Sequence, residues 1–476
     1  MKVNPEIFRG YDLRGLVDED LTPEIVLHIA KAHGTYLSSR GHTKALVARD
    51  SRASSPIYSQ KMIEGFTWAG LDVTDIGMVM IGTFYWAQHH LKIRGGVFVT
   101  ASHNPPQFNG FKLANDYSET LVSEGMQELL KRVQEEDYTQ GMKVGSVVKK
   151  DILPAYYADL IKRLPMKTKM KVMIDGGNST SSVIMPTLLR KAGYEVVEYN
   201  TKIDPTFPLG VADPTESKVM ERIRDEVLES GADIGFTYDS DADRIGIVDE
   251  KGNFIWNDVL VAIFATDVLR SHPGAKIMFN TLCSKVVSDT IIKQGGQPFM
   301  WRTGHSFLKK KNQEIKAAFI GELSGHFFFS ADFYNHDDGA YSTLRLLQYL
   351  ARTGQKLSDV VASLPQYISS PEIKVYCADD KKVDLIDKLS PVLKKDYPDA
   401  EVIDDQRAGD GLRLELPEAM FVVRYSQNGP YLTIKFEAKS QAEYDKLREH
   451  ILELLQSQPD IDWSSDINVN LEDLSD

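Results

Sequence analysis

Short apolar, β-rich runs alternate with helix-patterned stretches through the first two-thirds of this chain, which restricts it to a layered α/β fold with mostly parallel strands. At 476 residues the chain is too long for one hydrophobic core, so two to four domains are required. Three comparable units stand out. The first has buried strands at 45–48 and 96–101, with helices over 23–39 and 56–69. In the second, a strand at 171–174 ends in the turn Asp175-Gly176-Gly177-Asn178-Ser179, and a later strand at 234–237 runs into Asp239. The third has strands at 276–279 and 317–321 and helices at 285–293 and 306–314. Beyond Pro371 the pattern becomes α+β, with a strand at 372–376 and a hairpin around 427–430. The expected architecture is therefore three similar mixed α/β domains, 1–148, 149–254 and 255–368, followed by a smaller C-terminal α+β domain, 369–455. The remainder, 456–476, reads as an acidic tail, mobile or loosely docked.

A formal net charge of −13 argues against nucleic acid or an anionic membrane as a partner, so an anionic substrate would need locally clustered Arg and Lys. Two cysteines without metal-ligand spacing fit a reducing compartment. The first residues lack the apolar core of a signal peptide, and no apolar run is long enough to span a bilayer, so the expected location is the cytoplasm.

Suspicious residues fall at strand ends, where open parallel sheets bind ligands. DSDADR places Asp239, Asp241 and Asp243 at alternate positions after a strand, a spacing that lets carboxylates converge on one hard divalent cation, with Arg244 beside them to hold a bridging anion. An acidic solvated turn is the alternative, and an EF-hand loop is argued against because Arg244 stands where the sixth-position glycine belongs. In TASHNPPQFNGFK, Ser102 sits on a strand-to-loop turn with His103 next to it and Lys112 ten positions on. A nucleophile with a nearby cation and a loop rich in turn formers both fit that segment.

GELSGHFFF offers Glu322, Ser324 and His326 at period two, on one face of an extended segment. That face suits vicinal sugar hydroxyls, and an edge strand with a solvated face is the alternative. RYSQNGP combines Arg424, Ser426 and Asn428 in a turn compatible with an anion nest or with a plain hairpin. His305 lies near a helix start, and Lys309 to Lys311 after it read as a solvated face. FRGYDLRG brings Tyr11 and Arg14 between glycines.

In this order, FRGYDLRG, TASHNP, DSDADR and ExSGH resemble the α-D-phosphohexomutase superfamily, in its phosphomannomutase/phosphoglucomutase branch, over roughly residues 5 to 455. The resemblance implies four domains around a central active-site cleft. It implies a phosphorylated Ser102, and Mg²⁺ held by Asp239, Asp241, Asp243 and the phosphoryl group on Ser102. Arg244 and His103 would contact substrate groups, Tyr11 and Arg14 would line the cleft, and Lys112 and His305 would move protons. Glu322, Ser324 and His326 would read sugar hydroxyls, and Arg424, Ser426 and Asn428 the phosphate that is not transferred. The implied reaction interconverts hexose 1-phosphate and hexose 6-phosphate, of mannose or glucose, with hexose 1,6-bisphosphate as intermediate and activator. The implied state is a monomer or homodimer.

The chain departs from the family pattern at Asn428, Gly429 and Thr433, where Thr, Glu and Arg are usual, and at Leu282, where relatives often carry Lys. Its GGNSTSS turn is also richer in hydroxyls than the family form. A phosphoglucosamine mutase, a sugar-phosphate binding or regulatory protein with weak turnover, and a metal-dependent phosphatase are the competing readings.

Overall fold

The structure, a computed structural model, describes residues 1–165, 168–211, 213–426 and 429–475. Within these the chain forms four sheets in succession and divides into two compact units. One unit comprises residues 1–214, 221–254 and 334–356, and the other the remainder.

In the first unit, Lys44–Arg49, Asp72–Met78 and Gly95–Val99 pair in parallel, and Phe108–Asp116 and Leu13–Leu16 extend that sheet antiparallel. The helix Pro23–Ser39 forms where expected because Pro23 occupies its first turn and Thr22 Oγ1 accepts from Ile25 N at 3.2 Å. Its buried face, including Val26, Ile29 and Ala30, joins Phe66, Val97 and Phe111 in one core. The second sheet has Lys171–Asp175 at its centre, parallel to Ile234–Tyr238 and Glu195–Tyr199, with Ile245–Asp249 antiparallel beyond. The hydroxyls of the GGNSTSS turn serve the backbone. Ser179, Ser181 and Ser182 Oγ all donate to the Gly176 carbonyl, at 2.8 to 3.1 Å, and saturate a buried acceptor.

The second unit holds the third sheet, where Lys276–Asn280 pairs in parallel with Gln297–Trp301 and Phe319–Gly321. It also holds an antiparallel fourth sheet built on Gly411–Glu415, Ala419–Tyr425, Tyr431–Ala438 and Ile373–Cys377, with helices Lys382–Asp396 and Gln441–Gln456 against it. Buried charge joins these two sheets. Arg413 Nη1 donates to the carbonyls of Thr281 and Cys283, at 2.5 and 2.6 Å, and Lys435 Nζ lies 2.8 Å from Asp258.

The tail departs from expectation. Residues Ile461–Asp462 add to the edge of Ile373–Cys377, Val469 pairs with Lys374, and Leu474 is buried in the fourth core. Sparse apolar residues docked on an open sheet edge hold this segment, despite its acidic composition. Lys309 is likewise buried and not on a solvated face, its ammonium 6.0 Å from the ring centre of Phe328. Among the described residues no helix is long and apolar enough to cross a membrane.

Candidate active site

Ser102 sits just past the strand Gly95–Val99 in a left-handed conformation, φ 48°. That geometry aims its hydroxyl at the end of Ile234–Tyr238, and Ser102 Oγ donates to Asp239 Oδ2 at 2.6 Å. His103 Nδ1, on a half-buried ring, is 3.3 Å from the same hydroxyl. Asp239, Asp241 and Asp243 are all buried, and each places a carboxylate oxygen within 4.8 Å of the others. Asp241 Oδ1 is buried without a hydrogen-bond partner, as an oxygen set aside for a cation would be. Three converging hard oxygens fit a small divalent metal.

Lys112, on the strand Phe108–Asp116, bridges two of the same carboxylates, with Nζ 3.0 Å from Asp241 Oδ2 and 2.5 Å from Asp243 Oδ2. Burial works to lower its pKa, but Asp241 and Asp243 outweigh it and hold the ammonium well above its ordinary value. Burial, then Asp243, drives Asp239 up. Arg244 Nε reaches Asp239 at 3.1 Å and Nη1 reaches Asp213 at 3.1 Å, a partner that nothing in the local sequence marks. Arg14 Nε pairs with Asp12 at 2.7 Å, and its Nη1 donates to the Ala101 carbonyl at 3.1 Å and to Asn104. Tyr11, half-buried, is close enough to Arg14 to interact electrostatically.

Two helix starts grip the acidic loop 239–243. Ile81 N, at the head of Ile81–Leu91, donates to the Asp241 carbonyl at 3.0 Å, and Gly339 N, at the head of Gly339–Thr353, donates to that of Ala242 at 3.3 Å. A Cβ on Gly339 would stand 2.6 Å from the Ala242 oxygen, so only glycine permits this approach. Asp338 caps the second helix through Tyr341 N and accepts from the Tyr156 hydroxyl, each Tyr156 contact being 2.8 Å.

The second unit carries the remaining candidates. Glu322, Ser324 and His326 do not share one face of an extended strand. They lie on a tight turn between Phe319–Gly321 and Phe327–Phe328, closed by Glu322 N donating to the His326 carbonyl at 3.0 Å. Gly325, at φ 95°, makes that reversal possible. Glu322 Oε1 accepts from Gly304 N at 2.9 Å, and the rings of His305 and His326 stack 4.9 Å apart. Ser324 is half-buried.

Arg424 is clamped bidentately by Asp410, at 2.8 and 2.5 Å, which fixes the plane of its guanidinium. Lys382 Nζ donates to the carbonyls of Ser426 and Gly429, at 2.6 and 3.1 Å. Asn428 lies outside the described residues. Leu282 is a buried apolar residue, and Thr433 is buried in register with Arg424. Sequence reasoning passed over Asp213, Asp410 and Lys382, and local spacing carries no signal for them.

A buried serine on a strand-end turn facing an acidic triad, with buried Lys and Arg around it, on tandem α/β domains, defines a phosphoryl-transfer enzyme of the phosphohexomutase class. Residues 5–140, 154–252 and 256–367 match the α/β/α domains I, II and III of phosphoglucomutase/phosphomannomutase. The chain is 36% identical to a phosphomannomutase/phosphoglucomutase of Pseudomonas putida, covering 96% of each. It is 34% identical to a phosphoglucomutase of Neisseria meningitidis, covering 96% of this chain and 98% of that one. A crystal structure of a phosphoglucomutase/phosphomannomutase family protein from Burkholderia thailandensis superimposes with a TM-score of 0.88 at 31% identity, over 97% of this chain and 99% of that one. The chain belongs to the phosphoglucomutase/phosphomannomutase family.

Proposed function

We propose that this enzyme interconverts hexose 1-phosphate and hexose 6-phosphate, of glucose, mannose or both, through a phosphoserine at Ser102 and a hexose 1,6-bisphosphate intermediate. The Ser102 hydroxyl held 2.6 Å from the first of three buried carboxylates carries this reading. In the first transfer the bond between phosphorus and Ser102 Oγ breaks while a bond to a sugar hydroxyl forms. In the second, the other phosphoryl group returns to Ser102. A Mg²⁺ ion held by Asp239, Asp241 and Asp243 would supply the positive charge that offsets the transferring oxygens.

Arg244, oriented by Asp239 and Asp213, and Lys112 add fixed positive charge around Ser102 Oγ. Since two carboxylates already hold the Lys112 ammonium, His305 is the better candidate to take the sugar hydroxyl proton. Arg14, Tyr11 and His103 line the approach to Ser102. Glu322, Ser324 and His326 read hydroxyls of the sugar, and Arg424, Ser426 and Asn428 hold the phosphate that stays. Glucose and mannose differ only at C2, and dual use agrees with the paired name of the Pseudomonas relative. The acidic net charge and two unpaired, buried cysteines suit a reducing cytoplasm.

The test is a coupled assay with Mg²⁺ and a trace of glucose 1,6-bisphosphate on glucose, mannose and glucosamine 1-phosphates. Conversion to the 6-phosphate, lost in Ser102→Ala and in Asp241→Asn, is expected. No conversion of any of the three by folded, Ser102-phosphorylated protein would refute the proposal.

A further inference from the structure

Left-handed backbone at a serine costs about 1 kcal/mol or more, so the surrounding fold must hold Ser102 in place. Arg52 is placed to do so. It is 1% exposed, lies between the strand Lys44–Arg49 and the helix Ser55–Trp68, and spends its guanidinium almost wholly on the segment that carries Ser102. Nη2 donates to the carbonyls of Ser102 and Asn104, at 2.6 and 2.5 Å, and Nη1 to those of Pro105 and Phe108, at 2.8 and 3.0 Å. Nε stands 3.2 Å from Asp50 Oδ2, and Asp50 is itself fixed by the Ser55 hydroxyl at 2.5 Å and by Arg52 N at 3.0 Å. A second tie anchors this turn to the neighbouring domain of the same unit, where Thr180 Oγ1 accepts from Ser51 N at 3.0 Å.

We infer that Arg52 is the positioning residue of the Ser102 loop, fixing its curvature through four backbone carbonyls and offsetting dipoles that would oppose negative charge on Ser102. The inference rests on the reading that Ser102 carries the phosphoryl group. The planar fork is what the geometry needs, since two nitrogens must each serve two acceptors. A lysine at this position keeps the charge but presents its N–H groups from a single point and cannot span the set. Weakening these contacts would let the loop relax from its native curvature, because Ser240 Oγ on the Ser102 carbonyl and Phe108 N on that of Pro105 do not replace the fork that ties the four together.

The experiment compares wild type, Arg52→Lys, Thr180→Val and Ser102→Ala by hydrogen exchange and steady-state kinetics. In Arg52→Lys the amides of residues 100–110 should exchange faster while the rest of residues 1–140 stays as in wild type. Its kcat should fall about 100-fold, the cost of a misplacement of about 1 Å at a reacting group, with KM nearly unchanged. Thr180→Val should move both readouts in the same direction by less, and it carries the test alone if Arg52→Lys does not fold. Loop exchange and kcat like wild type would overturn the inference, as would faster exchange spread evenly over the unit with kcat per folded molecule retained. If Ser102→Ala keeps full turnover, the phosphoserine reading falls and this inference with it. If Ser102→Ala is inactive while Arg52→Lys behaves as wild type, only the role of Arg52 is lost.

Discussion

Lys112 and Asp241 form a buried ion pair, Nζ to Oδ2 3.0 Å, in which the lysine occupies carboxylates that a divalent ion would also claim. Lysine and a bound ion would therefore share one pool of negative charge. In Lys112→Gln the metal should bind more tightly, by at least about tenfold, since even a third of the roughly 4 kcal/mol between unit charges at 4 Å and an effective dielectric of 20 amounts to that. A Mn²⁺ titration of both proteins checks it. Turnover should fall in the same variant, and its metal-free form should melt lower because three carboxylates are left to repel one another.

Gly339→Ala places a methyl group 2.6 Å from the Ala242 oxygen and must push the helix Gly339–Thr353 away from the acidic loop. A loss of about 1 to 3 kcal/mol in stability is expected from such overpacking. Weaker Mn²⁺ binding should accompany it, read by titration beside the melting curve.

Arg424→Ala should raise KM by the equivalent of about 2 to 4 kcal/mol of binding, with kcat little changed. It should also destabilise the fold, because buried Asp410 loses the guanidinium that it holds bidentately. Adding Asp410→Asn should recover the melting temperature and not the KM. Recovery of both would remove Arg424 from substrate recognition.

A chain ended after Gln458 loses the buried Ile461 and Leu474. Each is worth about 1.5 to 3 kcal/mol, so urea unfolding should show a clearly weakened fourth domain. An unchanged midpoint would show that the docked tail contributes nothing.

His33 is fully buried against Phe66 with neither ring nitrogen hydrogen-bonded, and burial, with a smaller contribution from His42, lowers its pKa to about 3. The unfolded chain protonates this histidine near pH 6.5, whereas the folded one resists until about 3. The unfolded state thus binds the extra proton, and the contribution present above pH 6.5 is lost as pH falls, by about 1.4 kcal/mol per unit. Melting temperature should therefore drop less between pH 7 and pH 4.5 in His33→Leu than in wild type, by differential scanning calorimetry at both pH values.

Residues that act through their immediate neighbours were legible in the sequence. Ser102 follows a strand and Asp239 to Asp243 follow another, so spacing alone predicted where each loop would fall. Arg52, Asp213, Asp410 and Lys382 were not legible, because each acts on backbone or on a side chain brought near only by tertiary folding. Glu322, Ser324 and His326 misled for a local reason, since period two describes a strand only when no residue between takes a positive φ, and Gly325 does. The tail misled through composition, because its few apolar residues are spaced to meet a core and not to repeat.

One of the two helices that support the acidic loop lies about a hundred residues downstream of it, across the whole third sheet, yet belongs to the first unit. During synthesis the triad at 239–243 emerges long before Gly339, so while the next domain is made the loop has the Ile81 contact but not the Gly339 one. Unit one is consequently finished by sequence that arrives late, and a nascent chain released before residue 339 holds the acidic triad with one of its two helix-start supports missing.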